Sequence, residues 1–317
     1  MSRAGVGPDR PRPSVPAPLL VLGSVISVQT GQALGKHLMD AVGGPLGAVG
    51  SRLLLAAVML LVLWRPRHVP RERGSRVLIV ALGTAIAGMN LVYVAMDHLP
   101  LGVAMTIQLT GPQVVAVLAS RRAPDAAWAL LAAAGIVCFL LPGSSAANSL
   151  SLTGLLFAMA SAVSMGGYLV LSRHTGARMS GGQPLALAVL WAALLTLPFA
   201  LADSGTSLIR PPALLLGLAV ALLSAALPYS LELTALRRLP VRVVGVLQSL
   251  EPVAAAVAGL LLLHEQLTPL QWLGIGLISG ASAGTVAARP RRRPEPKAAG
   301  AQDLPRKNTA PECGAIR

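Results

Sequence analysis

The stretch Leu239-Pro-Val-Arg-Val-Val-Gly-Val-Leu-Gln-Ser-Leu-Glu-Pro252 decides the fold, because the chain carries it in two versions. The earlier version, Leu99-Pro-Leu-Gly-Val-Ala-Met-Thr-Ile-Gln-Leu-Thr-Gly-Pro112, lies 140 residues upstream and aligns without a gap. Each version places a glutamine four residues before a proline, within an apolar run. Proline removes a hydrogen bond from a helix, so we expect both Pro112 and Pro252 to interrupt helices. The two versions predict a duplicated chain whose functional site lies where the copies meet.

The composition is that of a membrane protein. The chain has 317 residues, of which 54% are hydrophobic and 12% are charged, and its mean hydropathy is +0.67. Ordinary soluble domains are much less apolar. The uncharged run 126–172 alone is long enough for two spans of about 20 residues each. We therefore predict an all-α membrane protein with ten transmembrane helices, near residues 18–39, 43–64, 75–97, 101–120, 124–142, 151–172, 183–202, 211–235, 240–264 and 268–288.

The positive charges orient these ten helices. If the N-terminus is cytoplasmic, 23 of the 26 Lys and Arg residues fall in cytoplasmic segments, as the positive-inside rule requires. We expect a disordered N-terminus (1–17), two five-helix repeats (18–142 and 151–288) and a basic cytoplasmic tail (289–317). Because five is odd, the second repeat enters the membrane from the opposite side, which predicts inverted repeats with both termini in the cytoplasm. The basic residues are scattered over short loops, which argues against a nucleic-acid partner.

Glu251 is the main candidate for proton coupling. It lies about eleven residues into its span, near the bilayer midplane at 1.5 Å per residue. A buried carboxylate needs a functional reason or a structural partner, and desolvation favours its protonated form. Gln248 would share a helix face with it at i, i+3, and Pro252 would free the carbonyl of Gln248. We expect this patch to bind a substrate ammonium; the alternative is a structural carboxylate that pairs with a neighbouring helix.

Other polar and aromatic side chains within the apolar runs are candidate substrate-binding residues. Arg52 lies about nine residues into its span, and its fork suits either a substrate carboxylate or a buried acid. Lys36 shares a stripe with two glutamines, although it can also snorkel to the interface. Gln108 can instead form an interhelical hydrogen bond. The full set is Gln29, Gln32, Arg52, Asn90, Tyr93, Gln108, Tyr168, Tyr229, Gln248 and Glu251. We predict no cofactor and no metal site, and we see no catalytic arrangement.

Several motifs resemble a known family. Leu99-Pro-Leu-Gly102, Leu109-Thr-Gly-Pro112, Ser120-Arg-Arg122, Leu227-Pro-Tyr-Ser-Leu-Glu232 and Leu250-Glu-Pro252 are similar to motifs of the EamA-type branch of the drug/metabolite transporter superfamily, and most similar to bacterial threonine/homoserine exporters. The resemblance implies ten helices in two inverted repeats, an inner-membrane location and efflux of small amino acids driven by the proton gradient.

One residue departs from that resemblance. The exporters that the chain resembles carry a glutamate where this chain has Gln108. The departure keeps open the alternative of a drug or other metabolite exporter of the same superfamily. An intramembrane enzyme or a lipid-handling scaffold is a further alternative. We expect an amino acid substrate, protons and the lipid bilayer as partners of a monomer or homodimer.

Overall fold

The fold is an array of helices, seen in a computed structural model that describes residues 16–65, 70, 72–118, 123–140, 151–179, 181–228, 231, 235 and 238–288. No strand occurs within these ranges. The helices are α1 (Ala17–Val42), α2 (Pro45–Trp64), α3 (Arg73–Met89), α4 (Val92–His98), α5 (Leu101–Leu118), α6 (Ala123–Leu140), α7 (Leu152–Arg178), α8 (Gln183–Ser204), α9 (Pro211–Ala221), α10 (Val241–Gln248), α11 (Glu251–Leu262) and α12 (Pro269–Ala288). A 3₁₀ turn, Gly205–Ile209, precedes α9, and a π turn, Leu222–Ala226, follows it.

Seven helical stretches of the described chain are long and apolar enough to cross a membrane. They are Ala17–Val42, Pro45–Trp64, Arg73–His98, Leu152–Arg178, Gln183–Ile209, Val243–Leu262 and Pro269–Ala287, and two shorter apolar helices are Ala127–Phe139 and Pro211–Ser224. Large apolar side chains that are at least 70% exposed point outward from the bundle, among them Leu63, Leu118, Leu130, Val163 and Leu215. Such a surface suits lipid rather than water. The prediction of an all-α membrane protein is thereby confirmed.

Prolines start several of these helices. A proline occupies the first or second position of α1, α2, α8, α9 and α11, where its missing N–H has no helical partner to lose. At the other end of α1, Gly43 adopts φ +89° and its N–H bonds to Met39 O. Glycine tolerates this left-handed conformation, so the turn into α2 is short.

Two long stretches are interrupted, and only one interruption lies where the sequence predicted it. α10 ends at Gln248 and α11 begins at Glu251, so Pro252 sits just after the break. By contrast, α5 runs unbroken through Pro112, and the predicted interruption there is wrong. The reason is packing: Gly111 of α5 lies against the backbone of Ala162 in α7, which holds the helix along its neighbour. The second interruption is instead the turn at 90–91 between α3 and α4.

The helices pack in pairs through small residues. α2 lies along α8, α6 lies along α12, and α5 contacts both α7 and α11. At the α5–α11 contact, a Cβ on Gly102 would lie 2.8 Å from Ala256 Cα. Small residues allow this close approach, which replaces the hydrophobic effect as the source of helix association in a bilayer. The pairs enclose the polar residues described next.

Candidate functional site

Arg52 is the centre of a polar cluster inside the bundle. Its Nε donates to Ser224 Oγ at 3.1 Å, and its Nη1 donates to Asn90 Oδ1. The guanidinium carbon lies 5.4 Å from the centre of the Tyr93 ring, which is within cation–π range. The cluster therefore joins α2, the 90–91 turn, α4 and the π turn after α9. Among the described residues, no carboxylate forms an ion pair with Arg52.

The partners of Arg52 are themselves held in place. Asn90 Nδ2 donates to Ile86 O at 2.7 Å, and Ser224 Oγ donates to Val220 O at 2.6 Å. Both bonds run back one helical turn, so each side chain presents its oxygen toward the guanidinium. The cluster is thus preorganised by backbone acceptors rather than by other charges.

A cavity adjoins this cluster. It is lined by Arg52, Leu53, Ala56, Leu60, Ile86, Met89, Asn90, Tyr168, Leu185, Val189, Ala221 and Ser224. The cavity has a volume of about 60 Å³, whereas one buried water needs about 10–15 Å³. The cavity thus has room for several waters. One cation, a few hydrogen-bonding groups and apolar walls are typical of a small-molecule site.

Helix α1 closes one side of the cluster through two glycines. A Cβ on Gly31 would lie 2.9 Å from Ser224 N, and a Cβ on Gly35 would lie 2.7 Å from the Tyr93 hydroxyl oxygen. Any larger residue at either position would push the π turn or the Tyr93 ring away from α1. These glycines therefore set the position of two side chains that touch Arg52.

The turn at 90–91 is stabilised by a hydrogen-bond network that includes Gln108. Tyr93 N–H bonds to Asn90 O rather than to Met89 O, which releases the Met89 carbonyl from the helical ladder. Gln108 Nε2 and Ser161 Oγ donate to that carbonyl at 2.6 and 2.7 Å, and Gln108 Nε2 also contacts Ser161 Oγ at 2.6 Å. A buried carbonyl left without a donor is costly. Gln108 thus forms the interhelical bond that the sequence analysis named as its alternative role.

The remaining candidates lie in different places. Gln29 and Gln32 are buried in α1 and are not among the cavity-lining residues. Gln248 is the last residue of α10, on the other side of the turn at 249–250 from α11. Glu251 instead lies in the first turn of α11, where the helix dipole favours negative charge. Tyr229 lies outside the described residues.

At one end of the bundle, two carboxylates link neighbouring helices. Lys36 Nζ, at the α1 end, pairs with Glu265 Oε1 at 2.7 Å, and Glu265 Oε2 accepts the N–H of Leu101 at the start of α5 at 2.8 Å. Asp203 Oδ2 accepts the N–H of Gly47 at the start of α2 at 3.0 Å. Helix N-termini attract negative charge. Lys36 thus forms an ion pair with Glu265, whereas the sequence analysis considered only a polar stripe or snorkelling to the interface.

Sequence reasoning named Arg52, Asn90, Tyr93 and Tyr168 but missed Ser224. The only signal for Ser224 is a single hydroxyl within the apolar run 211–228, and many such serines simply bond their own helix. Its role depends on Arg52, which is 172 positions away in the chain. Within the described ranges, no group of three or more His, Cys, Asp and Glu side chains is placed to hold a metal ion.

Comparison with known proteins gives the family. The profile of the EamA-like transporter family matches residues 152–287. The chain is 38% identical over 268 residues to the threonine/homoserine exporter RhtA of Escherichia coli K12, covering 84% of this chain and 90% of that protein. It is likewise 38% identical over 280 residues to the threonine/homoserine exporter RhtA of Salmonella typhimurium LT2, covering 88% and 94%.

A more distant relative and a solved structure are also similar to this chain over most of its length. The uncharacterized transporter YwfM of Bacillus subtilis is 24% identical over 264 residues, covering 80% of this chain and 88% of that protein. One solved crystal structure superposes with a TM-score of 0.56 at 19% identity, covering 86% of this chain and 96% of the other, and so shares the fold. The extent and identity of the RhtA matches show that the chain, a multi-pass membrane protein, belongs to the EamA-like transporter family.

Proposed function

We propose that this protein exports small amino acids of the threonine and homoserine kind across the inner membrane, with Arg52 binding the substrate carboxylate. The observation that carries the proposal is that Arg52 lines the cavity while its described partners, Asn90, Ser224 and Tyr93, are all neutral. An uncompensated cation within a bundle in lipid is expensive. A planar carboxylate fits the guanidinium fork with two parallel hydrogen bonds. The RhtA relatives supply the class of amino acid.

Alternating access between two inverted five-helix repeats is the mechanism that we propose. Shifting the chain by 140 residues exchanges α1 with α7, α2 with α8, α3–α4 with α9, α5 with α10–α11, and α6 with α12. The contacts between helices follow this exchange. α5 packs against α7 as α11 packs against α1, and α3 packs against α8 as α9 packs against α2.

Side-chain contacts obey the same exchange. Ser24 Oγ of the first half bonds to Pro228 O of the second, and Ser164 of the second half lies against Gly88 of the first at the exchanged positions. Two equivalent halves that rock against each other would expose the cavity to each side of the membrane in turn.

In this mechanism Glu251 couples transport to protons. It lies beside the break between α10 and α11, where a change in charge acts on two short helices at once. Proton binding removes the charge that the start of α11 stabilises, so protonation would shift the balance between the two orientations of the halves. We place both termini in the cytoplasm on the distribution of Lys and Arg.

A second candidate function is export of another carboxylate-bearing metabolite or drug. Arg52 requires only an acid group, and the apolar side chains of the cavity walls, which include Leu60, Met89 and Leu185, do not select for an ammonium group. Gln108 supports this candidate because the exporters that the sequence resembles have a glutamate there, whereas here the side chain is engaged with Met89 and Ser161.

Amino acid efflux from cells that overproduce the protein tests the proposal. Cells loaded with threonine, homoserine and a panel of other metabolites should lose the two amino acids faster than cells that produce the R52Q variant. A protonophore should abolish the difference. Efflux of a different acid instead would favour the second candidate, and absence of any Arg52-dependent efflux would refute both.

A further inference from the structure

One carboxylate joins the two halves of the bundle at one end. Glu265 belongs to the second half, and both groups that donate to it belong to the first. Lys36 Nζ of α1 pairs with its Oε1 at 2.7 Å, and the N–H of Leu101, at the start of α5, donates to its Oε2 at 2.8 Å. At the same end Asp203, also of the second half, accepts the N–H of Gly47 in the first turn of α2. These contacts are charge-assisted hydrogen bonds, which are stronger than neutral ones.

The backbone after α11 is shaped to place Glu265. α11 ends at Leu262, and His264 then adopts φ +54°, a left-handed conformation that is uncommon outside glycine. This turn brings the Glu265 N–H back to Gly259 O at 3.1 Å. A Cβ on Gly259 would lie 2.6 Å from Glu265 Oε2, so glycine leaves room for the carboxylate against the helix. A strained turn and a glycine thus hold one side chain in place, and such strain clusters at functional sites.

The cavity lies toward the opposite end of the bundle. α2 begins at the end that holds Glu265, with Pro45, and its lining residues run from Arg52 to Leu60. At 1.5 Å per residue, the cavity extends from about 10 Å to about 22 Å along α2 from its start. α8 finishes at the Glu265 end, and its lining residue Leu185 lies in its first turn, at the opposite end. The contacts of Glu265 thus close the end that the cavity does not approach.

The ion pair is not repeated at the opposite end. The 140-residue shift that relates the halves places Gly176 at the position equivalent to Lys36. Glycine supplies no cation, so the equivalent pair cannot form when the halves close at the opposite end. The pair between Lys36 and Glu265 therefore favours one of the two orientations of the halves, since only a contact that differs between two states shifts their populations.

We propose that Lys36, Glu265 and the Leu101 N–H form a gate that closes this end of the bundle and opens in each transport cycle. This inference rests on the proposed function, whose orientation puts this end outside the cell. The gate makes the resting transporter face the cytoplasm, where substrate is loaded, and substrate leaves to the outside only after the ion pair opens. A partly exposed pair suits this role, because it stabilises one orientation only modestly and so permits the exchange.

Labelling of a cysteine in the cavity reports which end is open. Ala56 lines the cavity, and A56C is introduced after both native cysteines are replaced (C138A and C313A). The anionic, membrane-impermeant reagent methanethiosulfonate ethylsulfonate is applied to right-side-out and to inside-out vesicles. With the gate intact, we expect faster labelling from the cytoplasmic side. E265Q and K36Q should each raise the rate of labelling from the outside by about three- to tenfold, the range for a partly exposed pair.

A control separates a gate from a structural ion pair. Asp97 is an exposed carboxylate near the end of α4, at the same end of the bundle, so D97N should leave both labelling rates unchanged. A purely structural pair would lower the unfolding temperature of E265Q and K36Q without changing either labelling rate, and that result would overturn the gate. Faster labelling from the outside with the gate intact would overturn it as well.

Labelling needs no substrate, so the gate and the function on which it rests can fail separately. Absence of Arg52-dependent efflux, with labelling that still depends on Lys36 and Glu265, would refute amino acid export and leave the gate. Arg52-dependent efflux with labelling that ignores both residues would refute the gate and leave export. Should E265Q fold poorly, K36Q decides alone, because it breaks the ion pair and keeps the bond from Leu101 to Glu265.

Discussion

Replacing Arg52 with glutamine should abolish most substrate binding while leaving the protein folded. The substitution removes the cation that lines the cavity and the hydrogen bonds from Nε to Ser224 and from Nη1 to Asn90. It also removes a charge that no described carboxylate neutralises. The loss of substrate binding and the change in stability are therefore measured separately.

The loss of binding follows from the pairing of a guanidinium with a carboxylate. Removing one member of a buried, hydrogen-bonded charge pair costs about 2–5 kcal/mol. The partly exposed position of Arg52 favours the lower part of that range, about 2–4 kcal/mol. Since about 1.36 kcal/mol corresponds to a factor of ten, kcat/KM for homoserine should fall by about 30- to 900-fold. R52K keeps the charge without the fork, so its loss should be smaller.

The stability of R52Q should not fall in parallel with its substrate binding. The two lost hydrogen bonds contribute about 1 kcal/mol each, and removing a partly exposed cation that no described carboxylate neutralises offsets a comparable desolvation cost. The unfolding temperature of R52Q should therefore equal or exceed that of the wild type. Efflux assays and thermal unfolding in detergent measure both quantities, and R210Q, at an exposed arginine, controls for loss of one positive charge. Wild-type transport by R52Q, or its failure to fold, would refute a substrate-binding role.

Three further substitutions test other parts of the structure. Q108L should lower the free energy of unfolding by about 1–2 kcal/mol, because the Met89 carbonyl loses a donor; an unchanged denaturation midpoint would contradict the network. E265Q should lower the free energy of unfolding by no more than about 1 kcal/mol, since the ion pair with Lys36 is partly exposed. If this pair must open in each transport cycle, E265Q should also speed substrate exchange. An unchanged rate of substrate exchange would make the pair purely structural. E251Q should stay folded but lose pH-driven efflux while retaining substrate exchange across a membrane without a pH gradient, and normal pH-driven efflux by this variant would eliminate Glu251 as the coupling residue.

Some features could be predicted from the chain alone because their causes are local. Hydropathy and segment length identify helices that suit a bilayer, since every span must satisfy its own backbone hydrogen bonds. Arg52 stood out because a cation deep within an apolar run is expensive wherever the helix packs. The break near Pro252 could also be predicted, since proline removes a specific hydrogen bond.

Other features depend on which helices touch, and no local pattern reveals that. Pro112 and Pro252 occupy equivalent positions, yet only the second lies at a helix break, because Gly111 packs α5 against α7. The break at 90–91 has no proline, and it persists because Gln108 and Ser161 capture the released Met89 carbonyl.

The sequence by itself determined that this is a helical membrane protein built on two related stretches, with a handful of polar groups that lipid would not tolerate. The tertiary structure alone decided which of those groups act together. Arg52 meets Ser224 across 172 positions and Lys36 meets Glu265 across 229. The physical reason is that burial in lipid depends on each segment's own composition, whereas a hydrogen bond depends on two side chains that only the packing of the bundle brings within about 3 Å of each other.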